Sequence, residues 1–289
     1  MIISILIPIH NRIKITQDGI ESLFFQLDNY QKNGSGKLVF PVIVIDDGST
    51  DGSSEWITEN HPDVVILKGD GNLWWSGAMN VGTKYAIENL QSNFVLLWND
   101  DIVASDNYFI TLEKIIENDD LENKIIGSKI YFHNDQNKLV STGGIFNRFT
   151  GKMEMDRRLP KNTENFKECD WLAGMGTLVP SSVFKLQDIW WDSEIFPQYY
   201  GDADFCLVCK KKGVEILLSP KLIIYNKTEY TGITHGKTLK EFYVSLTSLR
   251  SNFNIVNTFS FYKRHGTSFA YFGLVKKYLY YFLVFVLRR

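Results

Sequence analysis

Two apolar runs, each ending in a cluster of carboxylates, constrain the fold of this chain most. Residues 42–46 read Val-Ile-Val-Ile-Asp and are followed by Asp47, while the apolar residues 94–98 are followed by Asn-Asp-Asp at 99–101. Short apolar runs bounded by turn residues predict buried strands. In an open α/β sheet, ligands bind at the carboxyl ends of the strands, so we expect these side chains to meet at one site.

Apolar strands and helical stretches alternate around these two runs. Over the first part of the chain we predict strands at 2–7, 41–46, 63–67 and 94–98, and helices at 14–31, 52–60 and 76–90. This alternation predicts a mostly parallel sheet with helices on its faces, and therefore an α/β protein. Farther along we predict short strands and loops at 125–170, a strand at 176–179, a helix at 202–212, a strand at 215–218, and helices after residue 238.

The composition of the chain excludes several classes of function. Its 289 residues include 31 basic and 33 acidic side chains, so the formal net charge is -2. That balance gives no broad positive field, and we expect no nucleic-acid partner. The three cysteines are odd in number, which argues against a disulfide framework and favours a reducing, cytoplasmic compartment.

The C-terminal segment has a composition of its own. Residues 278–287 are wholly apolar or aromatic, with two lysines before them and two arginines after them. A helix of this length covers about 15 Å, half of the roughly 30 Å hydrocarbon layer, and a longer span would bury the lysines. We therefore predict peripheral membrane contact through 269–289, with the helix lying at the interface. The alternative is a terminal helix packed on the core or on a second subunit. In the second case the protein would be a homo-oligomer.

On physical grounds, each acidic cluster has two explanations, a role in local structure or a role in ligand binding or catalysis. Asp, Ser and Thr after a strand favour turns and N-caps, so Asp46 and Asp47 alone are compatible with a turn. Asp100 and Asp101 repel each other at the end of a buried strand, which favours Mg²⁺ or Mn²⁺ over a solvated turn. Such a cation takes part of its shell from substrate phosphates. Of the two aspartates at 202–204, the helix dipole explains one and leaves the other available as a general base.

These three acidic clusters, in this order, resemble the family 2 glycosyltransferases. The resemblance runs from Ser4 to about Tyr225. It rests on the motifs at residues 5–12, 46–51, 71–82, 99–101, 171–176 and 201–204. It implies a GT-A fold, Rossmann-like, with a mostly parallel central sheet, flanking helices and a helical C-terminal tail. The domain would comprise residues 1–235, and the helical extension residues 236–289.

By position, the resemblance assigns roles to individual residues. Asp202 would be the catalytic base in a single displacement with inversion. Asp101 would bind Mg²⁺ or Mn²⁺, and His235 is a second metal candidate, although a solvated loop histidine is the alternative. The residues on the nucleotide and donor side are Pro8, His10, Asn11, Asp47, Asn72, Trp75, Asn80 and Asp100. Those on the acceptor side are Trp171, Gly174, Trp191 and Asp204.

Two further features bear on these assignments. Aromatic faces bury sugar C–H surfaces well, so Trp75 and Trp191 are candidate walls for the donor and the acceptor. Each belongs to a pair of adjacent tryptophans that cannot both face the same way, so one of each pair is expected in the core. The chain also departs from its relatives: Gly201 stands where many carry glutamate, and Asn226 where some carry a metal-binding histidine.

The resemblance implies an inverting, metal-dependent glycosyltransferase with a nucleotide-diphospho-sugar donor of UDP or dTDP type. The acceptor would be a hydroxyl of a glycan or of a polyprenyl-diphosphate-linked sugar. The implied setting is bacterial surface-polysaccharide synthesis at the cytoplasmic face of the inner membrane, with a rhamnosyltransferase-like activity. One alternative, a sugar-phosphate nucleotidyltransferase, needs a basic glycine-rich loop where this chain has residues 8–12. The other is a catalytically silent sugar-binding or scaffolding member of the family, with Gly201 and Asn226 as marks of decay.

Overall fold

The computed structural model of the protein describes residues 1–158, 166–227 and 238–287. The βαβ series predicted for the first part of the chain is confirmed, with element ends shifted by a few residues. The predicted boundary at 235/236 and the candidate ligand His235 lie outside the described residues.

The first half of the chain contains β1 (Ile3–Ile9), α1 (Ile13–Asn33), β2 (Val42–Asp46), α2 (Ser53–Asn60), β3 (Val65–Lys68), α3 (Trp74–Glu88), β4 (Phe94–Leu97), β5 (Ile102–Ala104) and α4 (Tyr108–Asn118). The middle contains β6 (Lys124–Phe132), β7 (Leu139–Ser141), β8 (Gly144–Asn147), β9 (Lys152–Met155), β10 (Lys167–Glu168) and β11 (Thr177–Pro180). The last part contains α5 (Ser182–Lys185), α6 (Gly201–Lys211), β12 (Glu215–Asn226), α7 (Leu239–Thr247), α8 (Ile255–His265) and α9 (Ala270–Leu287).

The described strands of the main sheet follow the order β10-β12-β6-β11-β4-β1-β2-β3. The neighbours β3, β2, β1 and β4 are all parallel, as the βαβ pattern predicts. β11 is antiparallel to both β4 and β6, and β12 is parallel to β6. Because β1, β2 and β4 run in the same direction, their carboxyl ends lie at one edge of the sheet.

Both faces of the sheet are buried, which explains why β1 is apolar at nearly every position. Ile5 and Ile7 face the core formed with α1 and α4, and Leu6 faces the core formed with α3 and α6. Phe261 of α8 belongs to this second core, so the C-terminal helices pack on the same side of the sheet as α6.

The helix α9 has two different faces. By length and composition it is the one helix among the described residues that is long and apolar enough to cross a membrane. Tyr281 and Phe285 are buried on its inner face, whereas Phe272, Leu279 and Leu283 are exposed on its outer face. The helix therefore both packs on the protein and presents an apolar surface to the outside.

Candidate active site

The loop after β4 rests directly on the helix that follows β1. A Cβ atom on Gly19 of α1 would overlap the backbone carbonyl oxygen of Asp100. Only glycine permits so close an approach of helix and loop. Sequence reasoning missed Gly19, because an isolated glycine in a predicted helix does not reveal which backbone it approaches.

Asp46, the last residue of β2, is fully buried and serves the local structure. Its carboxylate accepts hydrogen bonds from the Ser49 N–H (2.8 Å), the Ser54 hydroxyl and the Lys68 ammonium (2.8 Å). Burial alone would raise the pKa of Asp46, but these donors outweigh it and lower the pKa to about 2. Asp46 therefore fits the alternative in which the acidic cluster after β2 stabilises a turn rather than binds a ligand.

Asp47 organises the start of α3. Its carboxylate oxygens accept from the backbone N–H groups of Gly71 (2.8 Å), Leu73 (3.2 Å) and Trp74 (3.0 Å). Trp74 has a φ of 55°, a left-handed conformation that is uncommon outside glycine. In the same turn, the side chain of Asn72 is exposed. Nucleotide contacts by Asp47 and Asn72 stay predictions.

His10 and Asn11 form an exposed rim after β1. The Nδ1 atom of His10 lies 2.6 Å from the Asp47 carbonyl oxygen and donates to it. The Oδ1 atom of Asn11 accepts from the Thr50 N–H at 2.8 Å, and Asn11 itself has a φ of 49°. Pro8 lies near the end of β1, beneath this rim. The structure brings these three predicted donor-side residues together beside Asp47.

Arg12 connects the first strand to the acidic loop. Its Nε and Nη2 atoms donate to both oxygens of Asp100, and Nη2 lies 3.5 Å from Asp101 Oδ2. The Thr16 hydroxyl donates to Asp100 Oδ2 at 2.9 Å. Asp100 is only 1% exposed, so its carboxylate is held by α1 and the preceding loop. Arg12 was part of the motif at 5–12, but its pairing with a residue 88 positions away leaves no local signal.

Asp101 is the carboxylate of this cluster that fits a cation best. Its side chain is 15% exposed, and burial raises its pKa while Arg12 opposes the rise. Within residues 1–158, 166–227 and 238–287, no group of three His, Cys, Asp or Glu side chains could enclose a metal. Asp101 would supply one carboxylate to Mg²⁺ or Mn²⁺, with substrate phosphates and water completing the shell, and metal binding by Asp101 stays a prediction.

Trp75 lies between the metal motif and the acceptor-side motif. Its indole Nε1 is 3.4 Å from Asn99 Oδ1, and its ring fills the space that a Cβ atom on Gly174 would need. The Gly174 backbone in turn lies close enough to the Asp202 carboxylate to lower its pKa. These contacts connect residues 99–101 to the segment beside Asp202 through Trp75, which is partly exposed, and we refer to this region as the cleft.

Asn80 and Trp191, assigned to opposite sides of the site, contact each other. Asn80 Nδ2 donates to the Trp191 carbonyl at 2.8 Å, and the Trp191 N–H donates to Asn80 Oδ1 at 3.1 Å. The Trp191 ring is buried and stacks on Phe205 with centroids 4.2 Å apart. Trp171 is buried as well. The core alternative fits both tryptophan rings, and the substrate contacts assigned to these residues stay predictions.

Asp202 begins α6 with few donors around its carboxylate. Oδ1 accepts from the Ala203 N–H at 2.8 Å, and the nearby backbone of Gly174 also acts to lower the pKa of the carboxyl group. Burial outweighs these contacts and raises the pKa of Asp202 to about 6. A carboxyl group with this pKa is well matched to proton abstraction near neutral pH.

Gly201 is required by packing. A Cβ atom there would overlap the Ser76 hydroxyl of α3 and approach the Phe196 carbonyl oxygen at 3.0 Å. A glutamate like that of many relatives has no room in this arrangement. The departure noted in the sequence thus has a structural cause in the close contact between α3 and α6.

Asp204 faces α8. It is 2% exposed and accepts from Arg264 Nη1 at 3.2 and 3.0 Å and from His265 Nε2 at 2.6 Å. Both oxygens of its carboxylate are therefore engaged by one helix of the C-terminal extension. A contact between Asp204 and the acceptor stays a prediction.

Comparison with known proteins gives one relative by sequence and two solved structures of interest. Over 215 residues the chain is 24% identical to the low-salt glycan biosynthesis hexosyltransferase Agl10 of Haloferax volcanii, covering 71% of this chain and 67% of that protein. The fold resembles GalNAc-T7 crystallised with UDP, GalNAc and Mn²⁺ (TM-score 0.60, 14% identity, 94% of this chain, 56% of that chain). It also resembles S. aureus TarS 1–349 (TM-score 0.54, 16% identity, 79% of this chain, 61% of that chain).

The chain spans about three fifths of the length of each of these two solved structures. Their likeness supports the GT-A fold, as expected from the order of the acidic motifs. A family model described as Glycosyl transferase family 2 matches residues 4–173, more than half of the chain. The matched stretch begins at the second residue of β1 and includes the acidic ends of β2 and β4. It ends at Ala173. The resemblance is therefore confirmed, and the chain belongs to glycosyltransferase family 2.

Proposed function

We propose that this protein is an inverting glycosyltransferase that uses a nucleotide-diphospho-sugar. The observation that carries the proposal is Asp202, a partly buried carboxylate whose pKa of about 6 suits a general base. The contacts of Trp75 with Asn99 and with Gly174, which lies beside Asp202, support a shared site for Asp202 and Asp101.

The reaction needs one displacement. Asp202 takes the proton of an acceptor hydroxyl as that oxygen attacks the anomeric carbon of the donor. The bond from this carbon to the nucleoside diphosphate breaks on the opposite face, and its electron pair leaves with the diphosphate. The configuration inverts, and no covalent sugar–protein intermediate forms.

The proposed reaction requires that the negative charge of the diphosphate be neutralised. Asp101 would hold Mg²⁺ or Mn²⁺, which when bound neutralises charge on the diphosphate leaving group. Arg12 holds Asp100 in place and fixes the loop that carries Asp101.

The donor and acceptor are proposed from chemistry and from the relatives. The UDP in the GalNAc-T7 structure and the hexosyltransferase description of Agl10 support a UDP-linked hexose. A dTDP-linked deoxyhexose such as rhamnose is the second donor class that we propose, from the resemblance alone. The proposed acceptor is a glycan or a polyprenyl-diphosphate-linked sugar in surface-polysaccharide synthesis.

A metal-dependent donor screen tests the function. UDP-, dTDP- and GDP-sugars are incubated with the protein and Mn²⁺ or Mg²⁺, and release of nucleoside diphosphate is measured. We expect release from one class of donor, suppressed by EDTA. If no donor releases its diphosphate with either metal, the catalytically silent alternative holds instead.

We also infer that the outer face of α9 binds the surface of an anionic bilayer, which would place the protein at the cytoplasmic face of the membrane. Exposed Phe272, Leu279 and Leu283 supply the apolar contact, and exposed Lys276 lies among them. The inner face is occupied by contacts with the protein, which favours a helix lying on the membrane over one that crosses it.

Vesicle sedimentation tests this surface. The double variant Leu279→Glu/Leu283→Glu should lose binding to phosphatidylglycerol–phosphatidylcholine vesicles. Phe25→Glu, at an exposed apolar position on α1, is the matched control and should bind as the wild type does. A dimer in solution that the double variant dissociates would assign the face to a second copy of the chain.

A further inference from the structure

The residue that precedes the first turn of α6 is tied to the C-terminal helices. Tyr200 is 7% exposed, and its hydroxyl accepts a hydrogen bond from Lys277 Nζ of α9 at 2.9 Å. The same hydroxyl lies 3.1 Å from Thr258 Oγ1 of α8 and 3.3 Å from the Asn252 carbonyl oxygen. One phenolic oxygen therefore joins the start of α6 to α8, to α9 and to the loop before α8.

The backbone at this point is strained. Tyr200 has φ 69° and ψ -10°, a left-handed conformation that is unfavourable for a side chain as large as tyrosine. Such conformations persist only where the surroundings fix them. The contacts of the Tyr200 hydroxyl supply that restraint, two residues before Asp202. If they are lost, the backbone can relax and turn the Asp202 carboxylate away from its place in the cleft.

A second connection runs from α6 to the end of α8. Asp204 accepts from Arg264 and from His265 Nε2, while Lys211 Nζ lies 3.1 Å from His265 Nδ1. Burial lowers the pKa of His265 more than Asp204 raises it, so the neutral ring donates through Nε2 and accepts from Lys211 through Nδ1. The first and last turns of α6 are thus both held by the C-terminal extension.

The two lysines at the middle of α9 have different surroundings. Lys277 is partly buried, donates to Tyr200 and lies 5.6 Å above the centroids of the Tyr200 and Phe253 rings. Lys276, its neighbour in sequence, is exposed on the outer face. A lysine at either position is long enough to place its charged end at a membrane surface. Only Lys277 contacts the segment that precedes the proposed base.

We propose that Tyr200 and Lys277 are positioning residues for Asp202, through which α9 holds the proposed base in its working geometry. The inference rests on the proposed function, because it concerns the residue assigned there as the base. It goes further in giving the C-terminal extension a role in the reaction: the inner face of α9 orients the base, while its outer face is the surface proposed to meet lipid.

Two lysine variants separate this role from membrane attraction. Lys277→Met and Lys276→Met each remove one positive charge from neighbouring positions of the same helix. A base displaced by a fraction of an ångström to 1 Å reduces the rate by about 10- to 100-fold, so we expect Lys277→Met to lower kcat by that amount. UDP affinity measured by calorimetry with Mn²⁺ should not change, which also shows that the variant is folded. Measured on the soluble donor without vesicles, so that the proposed lipid-binding surface plays no part, Lys276→Met should keep the wild-type kcat, and Lys277→Arg should recover part of the loss.

A second readout does not depend on activity. Amide hydrogen exchange of the peptide 199–206 should become faster in Lys277→Met and in Tyr200→Phe, and stay at the wild-type rate in Lys276→Met. Unchanged exchange in both Lys277→Met and Tyr200→Phe overturns the inference, as does an equal loss of kcat in the two lysine variants. If the wild-type protein turns over no donor, the proposed function fails by itself, and the exchange comparison still decides whether α9 holds this segment.

Discussion

The end of β2 and the start of α6 both carry a motif aspartate, yet the surroundings of the two carboxylates differ. Asp46 is supplied with three hydrogen-bond donors, and its pKa falls to about 2. Asp202 accepts one backbone hydrogen bond, from Ala203, and burial raises its pKa to about 6. The comparison shows that a carboxylate in a glycosyltransferase motif is structural where donors saturate it, and is available for proton transfer where they do not.

Removing the carboxylate charge at the start of α6 should have the largest effect. Asp202→Asn keeps the shape of the side chain but cannot take a proton, and loss of a general base typically reduces kcat by about 10²- to 10⁴-fold. Steady-state turnover of the donor found in the screen gives the rate, and calorimetry with UDP should show wild-type affinity. An equal loss of rate and affinity would mean that Asp202 serves the structure, as Asp46 does.

The same reasoning predicts a loss of stability at the end of β2. Asp47→Ala leaves the N–H groups of Gly71, Leu73 and Trp74 without their carboxylate acceptor, at a cost of about 2 to 4 kcal/mol. Urea unfolding followed by tryptophan fluorescence measures the change. Glu59→Ala, which removes an exposed carboxylate from α2, is a control and should unfold close to the wild type. If Asp47→Ala weakens UDP binding but not the fold, its carboxylate contacts the nucleotide instead.

The raised pKa of Asp202 predicts a gain of stability in the same Asp202→Asn variant at alkaline pH. Asp202 in the unfolded chain titrates near 3.8 and in the fold near 6, so its ionisation destabilises the fold progressively as the pH rises through this window. At pH 8 the asparagine variant should therefore be more stable by roughly 1 to 3 kcal/mol, with no gain at pH 3. Urea unfolding at both pH values checks this, and equal differences at the two values would contradict it.

Asp46 should show the opposite and smaller dependence. Its pKa is lowered in the fold, so its contribution is present above pH 4 and is lost as the pH falls toward 2. Lys68, which is largely exposed, supplies one of the donors, and Lys68→Met should destabilise the protein by less than about 1 kcal/mol at pH 7. The difference from the wild type should shrink toward pH 2. A difference that stays constant down to that pH would show that Lys68 acts through packing alone.

The strands and helices of the first half were predictable because their periodicity is local. The exceptions have identifiable causes. α3 begins at Trp74, before the predicted start at residue 76, because the Asp47 carboxylate accepts from its first N–H groups. β12 continues to Asn226 rather than ending near 218, because a register shift between Ser219 and Ile223 accommodates Pro220 within the pairing with β6.

The acidic residues of the cleft were predictable from the sequence, but the residues that contact them were not. Strand ends and a helix start indicate the acidic clusters, and the resemblance assigns Asp101 and Asp202 within them; the roles of both residues stay predictions. The contacts of Asp204 with Arg264 and of Tyr200 with Lys277 join positions 60 and 77 residues apart. No periodic pattern links such distant positions, so the support of α6 by the C-terminal extension becomes visible only in the structure.

The left-handed backbone at Asn11, Trp74 and Tyr200 has a consequence for protein engineering. These are three of the five non-glycine residues with positive φ in the described part of the chain, and all three border the cleft. A stabilisation campaign that scores backbone strain would select them first for replacement by glycine. At Tyr200 such a replacement would remove a buried side chain that joins α6 to α8 and α9, so relief of backbone strain there would not stabilise the protein. Efforts to prepare a hardier protein should therefore begin at Gln91 and Asp188, where the same strain occurs outside the cleft residues.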